Sequence, residues 1–129
     1  MTRDEGKAFY QEQLMLMGSG QIDALVEQHY HEDAIMVTFD GIRSGYAELK
    51  RYFVDTLALM GTITHLSTEY FEATDDVIIF KATIISEGRG KVFADNALYL
   101  KDGKIWRHIA LTLLPDVDYA ELGTLWTDD

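Results

Sequence analysis

The sequence predicts a single α+β domain, and its apolar pattern carries that prediction. Before Gly61 the apolar residues recur mainly at helical spacing, whereas after it they recur at alternate positions. Helices followed by hairpin-linked strands are typical of α+β proteins. The length of 129 residues suits one domain, and no Pro/Gly-rich linker or repeat divides the chain. We therefore expect N-terminal helices packed against an antiparallel sheet.

Composition excludes several classes of function. The chain has 11 basic and 22 acidic residues, a net charge of −11, whereas nucleic-acid binding needs clustered Lys and Arg. No basic amphipathic stretch is present, so a membrane partner is not expected either. The lack of cysteine removes disulfides, thiolate nucleophiles and Cys-based metal sites. Because the charged first residues do not read as a signal peptide, we expect a cytoplasmic protein.

Three helices and a short strand are expected before Gly61. The first helix runs from about residue 4 to residue 17, and the second from about residue 22 to residue 31. Residues 34 to 39 are rich in β-formers and are followed by a turn signal, which indicates a strand. The third helix follows Gly45. Its apolar face consists of Leu49, Tyr52, Phe53, Leu57 and Met60.

Four long strands are expected after Gly61, separated by turn signals at residues 75–76, 88–90 and 102–103. The last of these, Asp102-Gly103, predicts a type I′ hairpin, because both residue types tolerate positive φ angles. On the second and third strands the even-numbered positions predict the core face. They are Ile78, Phe80, Ala82 and Ile84, then Val92, Ala94, Leu98 and Leu100. Asn96 is the polar exception on this face.

The last strand is apolar on both faces, with Ile105, Ile109 and Leu111 on the odd face and Trp106 and Ala110 on the even face. A strand of this kind is covered on both sides. The helices would cover one face. Because a lone domain rarely leaves a large apolar patch in water, we expect a second copy of the chain to cover the other. The prediction is a homodimer through the outer face of the sheet.

Four short motifs occur in order along the chain. They are Gly20-Gln21-Ile22-Asp23-Ala24-Leu25, then Tyr30-His31-Glu32-Asp33-Ala34, then Arg43-Ser44-Gly45 leading into Glu48-Leu49 and Tyr52-Phe53, and finally the hairpin Leu98-Tyr99-Leu100-Lys101-Asp102-Gly103-Lys104-Ile105. In this order and spacing the chain resembles the nuclear-transport-factor-2-like superfamily, particularly SnoaL-like proteins and ketosteroid isomerase. The resemblance covers about residues 8–114 and leaves an acidic tail at residues 115–129. It implies a cone-shaped fold in which the N-terminal helices pack into a strongly curved antiparallel sheet around an internal, mostly apolar pocket.

The resemblance also implies positions for a site. Ketosteroid isomerase uses a carboxylate base on the first strand, with a Tyr and a protonated Asp as oxyanion donors. In this sequence the Asp donor position matches Asn96, and the Tyr donor position falls near Gln13, with Tyr10 one turn earlier. The base position falls on Thr38, or on Asp40 if the match shifts by two residues. Steroid isomerisation is therefore not implied, whereas proton-transfer chemistry is.

Three residues are candidates for catalysis, each with a structural alternative. His108 takes the position of a hydrophobic pocket residue, which implies that the even face of the last strand points inward. It is either a general acid or base, or a core histidine bonded to a neighbour. Asn96 either orients a carbonyl or oxyanion, or satisfies a helix end or a buried water. Asp40 is the base, a group that orients His108, or part of an ordinary turn.

Further residues are candidates for substrate contacts. They are Tyr10, Met17, Met36, Thr38, Phe80, Ile84, Trp106 and Thr112. No metal or cofactor is expected, since His29 and His31 lack the spacing of about four that a helical zinc site needs. The facing of His65 stays open. The tail is expected to cover the pocket mouth, to contact a partner subunit or to end frayed.

Two functions follow from these residues. The first is a cofactor-free enzyme of the isomerase, cyclase or hydratase type that acts by proton transfer on a small hydrophobic carbonyl compound. The alternative is a non-catalytic module that binds an apolar ligand or mediates dimer assembly, and an accessory subunit of a larger partner also stays open. An inward His and Asn on adjacent strands favour the enzyme, because buried polar groups cost stability unless they are paired or used.

Overall fold

The computed structural model describes residues 1–113, in which three helices and six strands follow one another. In chain order they are α1 (Arg3–Gly18), α2 (Ile22–His29), β1 (Tyr30–Thr38), β2 (Gly41–Ser44), α3 (Gly45–Met60), β3 (Ile63–Ala73), β4 (Val77–Ser86), β5 (Gly90–Lys101) and β6 (Lys104–Leu113). The predicted α+β class is confirmed. The acidic tail predicted at residues 115–129 lies outside the described residues.

The six strands form one curved sheet in the order β2-β1-β6-β5-β4-β3. Four of the five neighbouring pairs are antiparallel, but β1 runs parallel to β6. The sheet is therefore mixed rather than wholly antiparallel. A parallel pair needs a long connection, and here α3 and the meander of β3, β4 and β5 supply it.

Two boundaries differ from the sequence prediction. α2 ends at His29, and Tyr30 already has extended backbone angles (φ −112°, ψ 144°), so β1 begins before the residue 34 that the sequence indicates. After the turn at Asp40 the chain forms a second short strand, Gly41–Ser44, that pairs with β1. Both differences arise because β1 bonds to strands on each side, and such tertiary pairing overrides local propensity.

The turn between β5 and β6 has the predicted geometry. Asp102 and Gly103 both have positive φ angles, 54° and 78°. They join Lys101 to Lys104, which are opposite each other in the ladder. The type I′ hairpin is confirmed, and its two-residue length fixes the register of β5 against β6.

The core lies between the helices and the inner face of the sheet. As predicted, even-numbered positions of β4 and β5 face it: Ile78 and Leu98 are fully buried and Val92 nearly so. From the other side α1 comes so close that a Cβ on Gly6 would lie 2.6 Å from the Cβ of Ala73. Because glycine allows this approach, the buried face of α1 is held directly against the sheet.

A bulge interrupts β6. Leu100 of β5 is opposite Ile105, but its neighbour Tyr99 is opposite Arg107, so Trp106 is an extra residue without a partner across the ladder. Ile105 is fully buried although its number is odd. The predicted inward facing of the even positions therefore holds only beyond the bulge.

Candidate functional site

Four polar side chains form one continuous series of hydrogen bonds inside the sheet. The Nε2 atom of Gln13 lies 3.2 Å from the hydroxyl oxygen of Tyr30, which lies 2.8 Å from Nδ1 of His108. The Nε2 atom of His108 lies 2.7 Å from Oδ1 of Asn96. We refer to these four residues as the polar chain. It brings together His108 and Asn96, two of the three residues that the sequence indicates as candidates for catalysis.

Each member of the polar chain comes from a different element. Gln13 lies on the buried face of α1, Tyr30 begins β1, His108 lies on β6 and Asn96 on β5. In the β5–β6 ladder Asn96 is opposite Ala110, two residues from His108, so the two side chains are diagonal neighbours on one face. Tertiary pairing of distant strands therefore assembles the site.

The hydrogen bonds run in one direction. Oδ1 of Asn96 only accepts, so His108 donates from Nε2–H and its Nδ1 is left as an acceptor. Tyr30 then donates its hydroxyl proton to Nδ1 and accepts in turn from the amide N–H of Gln13. Aligned in this way, each bond polarises the next towards Asn96. This direction of the bonds corresponds to a neutral His108 imidazole with its proton on Nε2.

Burial keeps both ionisable members of the polar chain uncharged. His108 is 5% exposed, and burial lowers the pKa of its imidazole to about 3. Tyr30 is fully buried, and burial raises the pKa of its hydroxyl well above the ordinary value. The nearby Tyr52 adds to that increase, while the hydrogen bond from Gln13 opposes it. Near neutral pH the site therefore presents oriented dipoles and no ions.

Both ends of the polar chain carry an unused group. Within residues 1–113, the Nδ2 amide of half-buried Asn96 has no hydrogen-bond partner and is not sealed from solvent. At the other end, the Oε1 atom of Gln13 is buried and has no partner in the same part of the chain. The Asn96 end can thus donate to an acceptor such as a carbonyl oxygen.

Asp40, the third catalytic candidate, does not join the polar chain. Its exposed carboxylate accepts from the Thr38 hydroxyl and from Arg43, whose Nη1 lies 3.1 Å away. The hydrogen bonds from Arg43 and then Thr38 lower the pKa of Asp40. The Arg43 guanidinium also lies over the ring of Tyr52 on α3. This cluster ties the β1–β2 turn to α3 and occupies both Asp40 and Thr38.

Several of the residues selected for substrate contacts lie in the interior. Met36 is fully buried and is opposite His108 in the β1–β6 pair. Tyr10 is buried too, and its ring centre lies 4.4 Å from that of Phe80. The partly buried members of the set are Met17, Thr38, Phe80, Ile84 and Thr112. Their contact with a ligand stays a prediction.

Trp106 has other neighbours. The centre of its ring lies 3.7 Å from the guanidinium carbon of Arg107 and 5.4 Å from Nζ of Lys101, both cation–π contacts. Because Trp106 is the extra residue of the bulge, the alternation of inward and outward side chains that assigns it to the pocket does not apply to it.

The remaining histidines have separate surroundings. The Nε2 atom of His29 lies 3.2 Å from a carboxylate oxygen of Glu12 and so joins α2 to α1. His31 accepts at Nδ1 from a backbone N–H two residues later. His65, whose facing the sequence does not settle, is exposed on β3.

Tyr30 and Gln13 belong to the site but not to the set selected for catalysis. Tyr30 continues the helical spacing of the apolar residues of α2, so the pattern assigns it to a helix. Gln13 is the polar residue among Gly6, Tyr10 and Leu16 on the buried face of α1. That lone amide on an apolar face is the signal that identifies it, since a buried amide needs partners.

Two surface depressions involve the described residues. One, of about 260 Å³, lies on the outer face of the sheet beside Ile79, Asp95 and Ile109. The other, of about 450 Å³, lies between α1 and β3 beside Lys7 and Tyr70. The internal ligand cavity stays a prediction. None of the helices formed by residues 1–113 is long and apolar enough to cross a bilayer.

Comparisons with known proteins identify the fold. No family model matches the chain, and no curated protein matches its sequence. An NTF-2-like protein of unknown function from Burkholderia xenovorans matches with a TM-score of 0.70 and 15% identity, over 98% of this chain and 97% of that one. A protein of the SnoaL-like family from Agrobacterium tumefaciens matches with a TM-score of 0.66 and 12% identity, over 80% of this chain and 93% of that one. SalBIII, an epoxide hydrolase/cyclase-like enzyme with a role in pyran ring formation, matches with a TM-score of 0.68 and 18% identity, over 88% of this chain and 94% of that one. The chain has the NTF2-like fold that SnoaL-like proteins share.

Proposed function

We propose that the protein binds a small hydrophobic carbonyl compound and that Asn96 donates an amide hydrogen bond to its carbonyl oxygen. The orientation of Asn96 carries this proposal: His108 holds Oδ1 at 2.7 Å, so the N–H₂ group is the one left for a ligand. Because the polar chain is polarised towards Asn96, this amide is a better donor than an isolated one. A fixed donor of this kind stabilises negative charge that develops on a carbonyl oxygen.

An isomerase, cyclase or hydratase reaction by proton transfer suits such a donor. A base from the solvent, such as water or a buffer anion, takes the proton from the carbon beside the carbonyl, and the amide of Asn96 stabilises the negative charge that this leaves on the carbonyl oxygen. A single well-placed donor there is worth about 10²–10³ in rate. The structural likeness to SalBIII, an epoxide hydrolase/cyclase-like enzyme, supports this class of reaction.

In this proposal His108 positions Asn96 instead of moving a proton itself. Both ring nitrogens are engaged, and a pKa of about 3 leaves almost no protonated form to act as an acid near neutral pH. Asp40 is given no role as a base, because its carboxylate is paired with Arg43.

A thermal-shift screen tests the binding step. The panel contains polycyclic compounds, aromatic ketones, lactones and epoxides. A ligand at about 100 times its Kd adds about 2.7 kcal/mol to the free energy of unfolding, a rise of several degrees in Tm. Hits restricted to compounds with a carbonyl acceptor support the proposal, whereas hits without regard to that group contradict it.

Two matched variants assign the contact. Asn96→Asp keeps an acceptor for His108 but loses the N–H₂ donor, so the affinity for a carbonyl hit should fall about tenfold or more. Asp95→Asn exchanges the same two chemical groups at the adjacent position on the opposite face and should bind like wild type. An equal loss in both variants, or no loss in either, would contradict a direct contact with Asn96.

The second candidate function is a binding module without catalysis. It is favoured by the engagement of both His108 nitrogens and by a polar chain that contains no carboxylate. Incubation of a carbonyl hit in D₂O separates the two functions. An enzyme of the proposed type should speed deuterium exchange at the carbon beside the carbonyl, measured by proton NMR. If deuterium exchange occurs at the same rate as in buffer alone while the ligand still binds, the protein is a binding module without catalysis.

We also propose that a second copy of the chain covers the outer face of the sheet. An apolar row crosses five strands there, with successive partners Ile42, Val37, Ile109, Ala97 and Ile79. Ile42 is 69% exposed, Val37 42% and Ile79 38%. A contiguous apolar row of this length favours association.

Charges beside this row favour a second copy over a different partner. Lys81 and Asp95 are opposite each other in the β4–β5 ladder, and Oδ1 of Asp95 is buried without a partner in residues 1–113. A two-fold axis that passes between Lys81 and Asp95 would place Lys81 of each chain beside Asp95 of the other. In that arrangement the homodimer would supply a donor to the carboxylate oxygen of Asp95 that lacks one within residues 1–113.

A further inference from the structure

The three hydrogen bonds of the polar chain could also form in the opposite direction, and the choice of ligand depends on which direction they take. In that arrangement Asn96 would donate from Nδ2 to His108 Nε2, His108 would donate from Nδ1 to Tyr30, and Tyr30 would donate to Oε1 of Gln13. Asn96 would then offer its carbonyl oxygen, an acceptor, to the ligand. The direction therefore decides whether the site takes a ligand that accepts or one that donates.

The end at Gln13 distinguishes the two directions. In the observed direction its Nε2 donates to Tyr30 and the buried Oε1 is without a partner in residues 1–113. In the reverse direction the buried, unpartnered group would be the N–H₂. Orphaned N–H groups in protein interiors are rarer than under-satisfied carbonyl oxygens. Gln13, which is 3% exposed, thus favours the observed direction from within the core.

We propose that Gln13 is a specificity-determining positioning residue: by donating to Tyr30 it fixes the direction of the polar chain and makes Asn96 a donor. The site then selects ligands whose oxygen only accepts, such as a ketone or an enolate, over a hydroxyl, which must turn its own proton away, and disfavours an ammonium group, which offers only donors. Gln13 acts through Tyr30 and His108 and has no need to touch the ligand. The ligand half of this inference rests on the proposed function, whereas the direction of the bonds does not.

The tautomer of His108 in the wild-type protein is the first test. Long-range ¹H–¹⁵N NMR spectra separate the Nε2–H from the Nδ1–H form of a neutral imidazole. The observed direction requires the proton on Nε2. A proton on Nδ1 would overturn the inference without any variant.

Two variants test whether Gln13 sets the direction. Gln13→Glu provides only acceptors once its carboxyl ionises, so Tyr30 should turn its hydroxyl to it and His108 should move its proton to Nδ1. Burial raises the pKa of such a carboxyl, so spectra are recorded from about pH 6 to about pH 10, with the ¹³C shift of the carboxyl as the monitor. Retention of Nε2–H beside an ionised carboxylate would refute the role of Gln13.

Gln13→Met is the matched variant without a hydrogen-bonding group. It has a similar length and neither donates to Tyr30 nor accepts from it. Without the donor that fixes the direction, His108 should no longer keep its proton on Nε2 alone, so the Nδ1–H form should appear beside the Nε2–H form. Spectra that show only the Nε2–H form would mean that Gln13 does not set the direction. If Gln13→Glu does not fold, the wild-type and Gln13→Met spectra still decide.

Ligand binding distinguishes failure of this inference from failure of the proposed function. The probes are acetophenone and 1-phenylethanol, which differ in whether the oxygen accepts only or also donates. Gln13→Glu in its ionised form should lose about tenfold or more of the preference for acetophenone that wild type shows. An Nε2–H tautomer without ketone binding would reject the proposed function alone. An Nδ1–H tautomer in wild type would reject the present inference whatever the protein binds.

Discussion

At the scale of the residue, the surroundings of His108 show how a core selects one state of an ionisable group. The neutral ring accepts from Tyr30 at Nδ1 and donates to Asn96 at Nε2, so both nitrogens are satisfied. A protonated ring would carry a second donor at Nδ1, opposite a hydroxyl that already points its own proton there. Charging the ring also requires desolvation of the ion. Both effects favour the neutral form that the proposed carbonyl site uses.

The first prediction concerns pH and stability. The pKa of His108 is about 3 in the folded protein and about 6.5 in an unfolded chain, so between these values only the unfolded chain binds the proton. The free energy of unfolding should therefore fall as the pH falls from about 6.5 to about 3, by up to about 1.4 kcal/mol per pH unit from this residue. Urea titrations of wild type and His108→Leu across this range measure it. The variant should lack this component of the slope, and identical slopes would contradict the prediction.

The second prediction concerns the same ring with a charged neighbour. Asn96→Asp places a carboxylate at the oxygen that now lies 2.7 Å from Nε2 of His108. An opposite charge in contact favours the imidazolium, so the pKa of His108 should rise by about 1–3 pH units. NMR titration of the ring protons measures it. Asp95→Asn, on the opposite face, serves as the control and should leave the pKa of His108 where it is. A pKa that stays near 3 in Asn96→Asp would mean that position 96 does not contact the ring.

At the scale of the element, alternation along the strands predicts much of the fold. It identifies the inner faces of β4 and β5 because Ile78, Val92 and Leu98 repeat with the period of the pleat. It fails for Trp106, because a bulge depends on how two strands are joined and leaves no mark in the local pattern. It also fails for Tyr30, since the same spacing that fits the apolar face of α2 fits the first residue of β1.

The third prediction concerns the turn between β4 and β5. The backbone N–H of Gly88 donates to the carbonyl oxygen of Met60 at the end of α3, and a Cβ at this position would lie 2.3 Å from the carbonyl oxygen of Leu59. Gly88→Ala should therefore destabilise the protein by about 1–3 kcal/mol, because the clash is with backbone that cannot move aside cheaply. Thermal or urea unfolding measures the change.

Gly18→Ala is the matched control for that measurement. A Cβ on Gly18 meets no atom within 4 Å, and the residue ends α1. Alanine should leave stability unchanged or raise it by up to about 1 kcal/mol, since it favours helical backbone. Equal effects of the two substitutions would show that contact with α3 does not set the requirement for glycine at position 88.

At the scale of the whole molecule, the candidate site is less predictable than the fold. The resemblance to NTF2-like proteins, whose fold the solved structures show, indicates His108 and Asn96 as inward polar residues. The polar chain itself joins residues 13, 30, 96 and 108, which only the packing of α1 and the parallel pairing of β1 with β6 bring together. Contacts between such distant residues have no period, so the sequence suggests the members separately and not their connection.

The fourth prediction concerns assembly. Val37→Lys places a charge within the outer apolar row and should convert a dimer to a monomer, because a buried unpaired charge is costly at an interface. Val54→Lys makes the same exchange at a side chain of α3 that is 54% exposed, and should leave the mass unchanged. Sedimentation velocity or light scattering of both variants and wild type measures the mass. A wild-type monomer at high concentration, or equal behaviour of the two variants, would contradict the proposed interface.

The parallel pairing of β1 with β6 also limits how far the protein can fold while it is being synthesised on the ribosome. β1 begins at residue 30 and β6 ends at residue 113, so the contact between Tyr30 and His108 must wait for synthesis of nearly the whole sheet. Closing so distant a contact adds loop entropy and slows folding. Until β6 emerges, β1 has only the four residues of β2 beside it, and its apolar inner face lacks its sheet neighbour. Nascent chains that stall before β6 are therefore expected to be clients of chaperones.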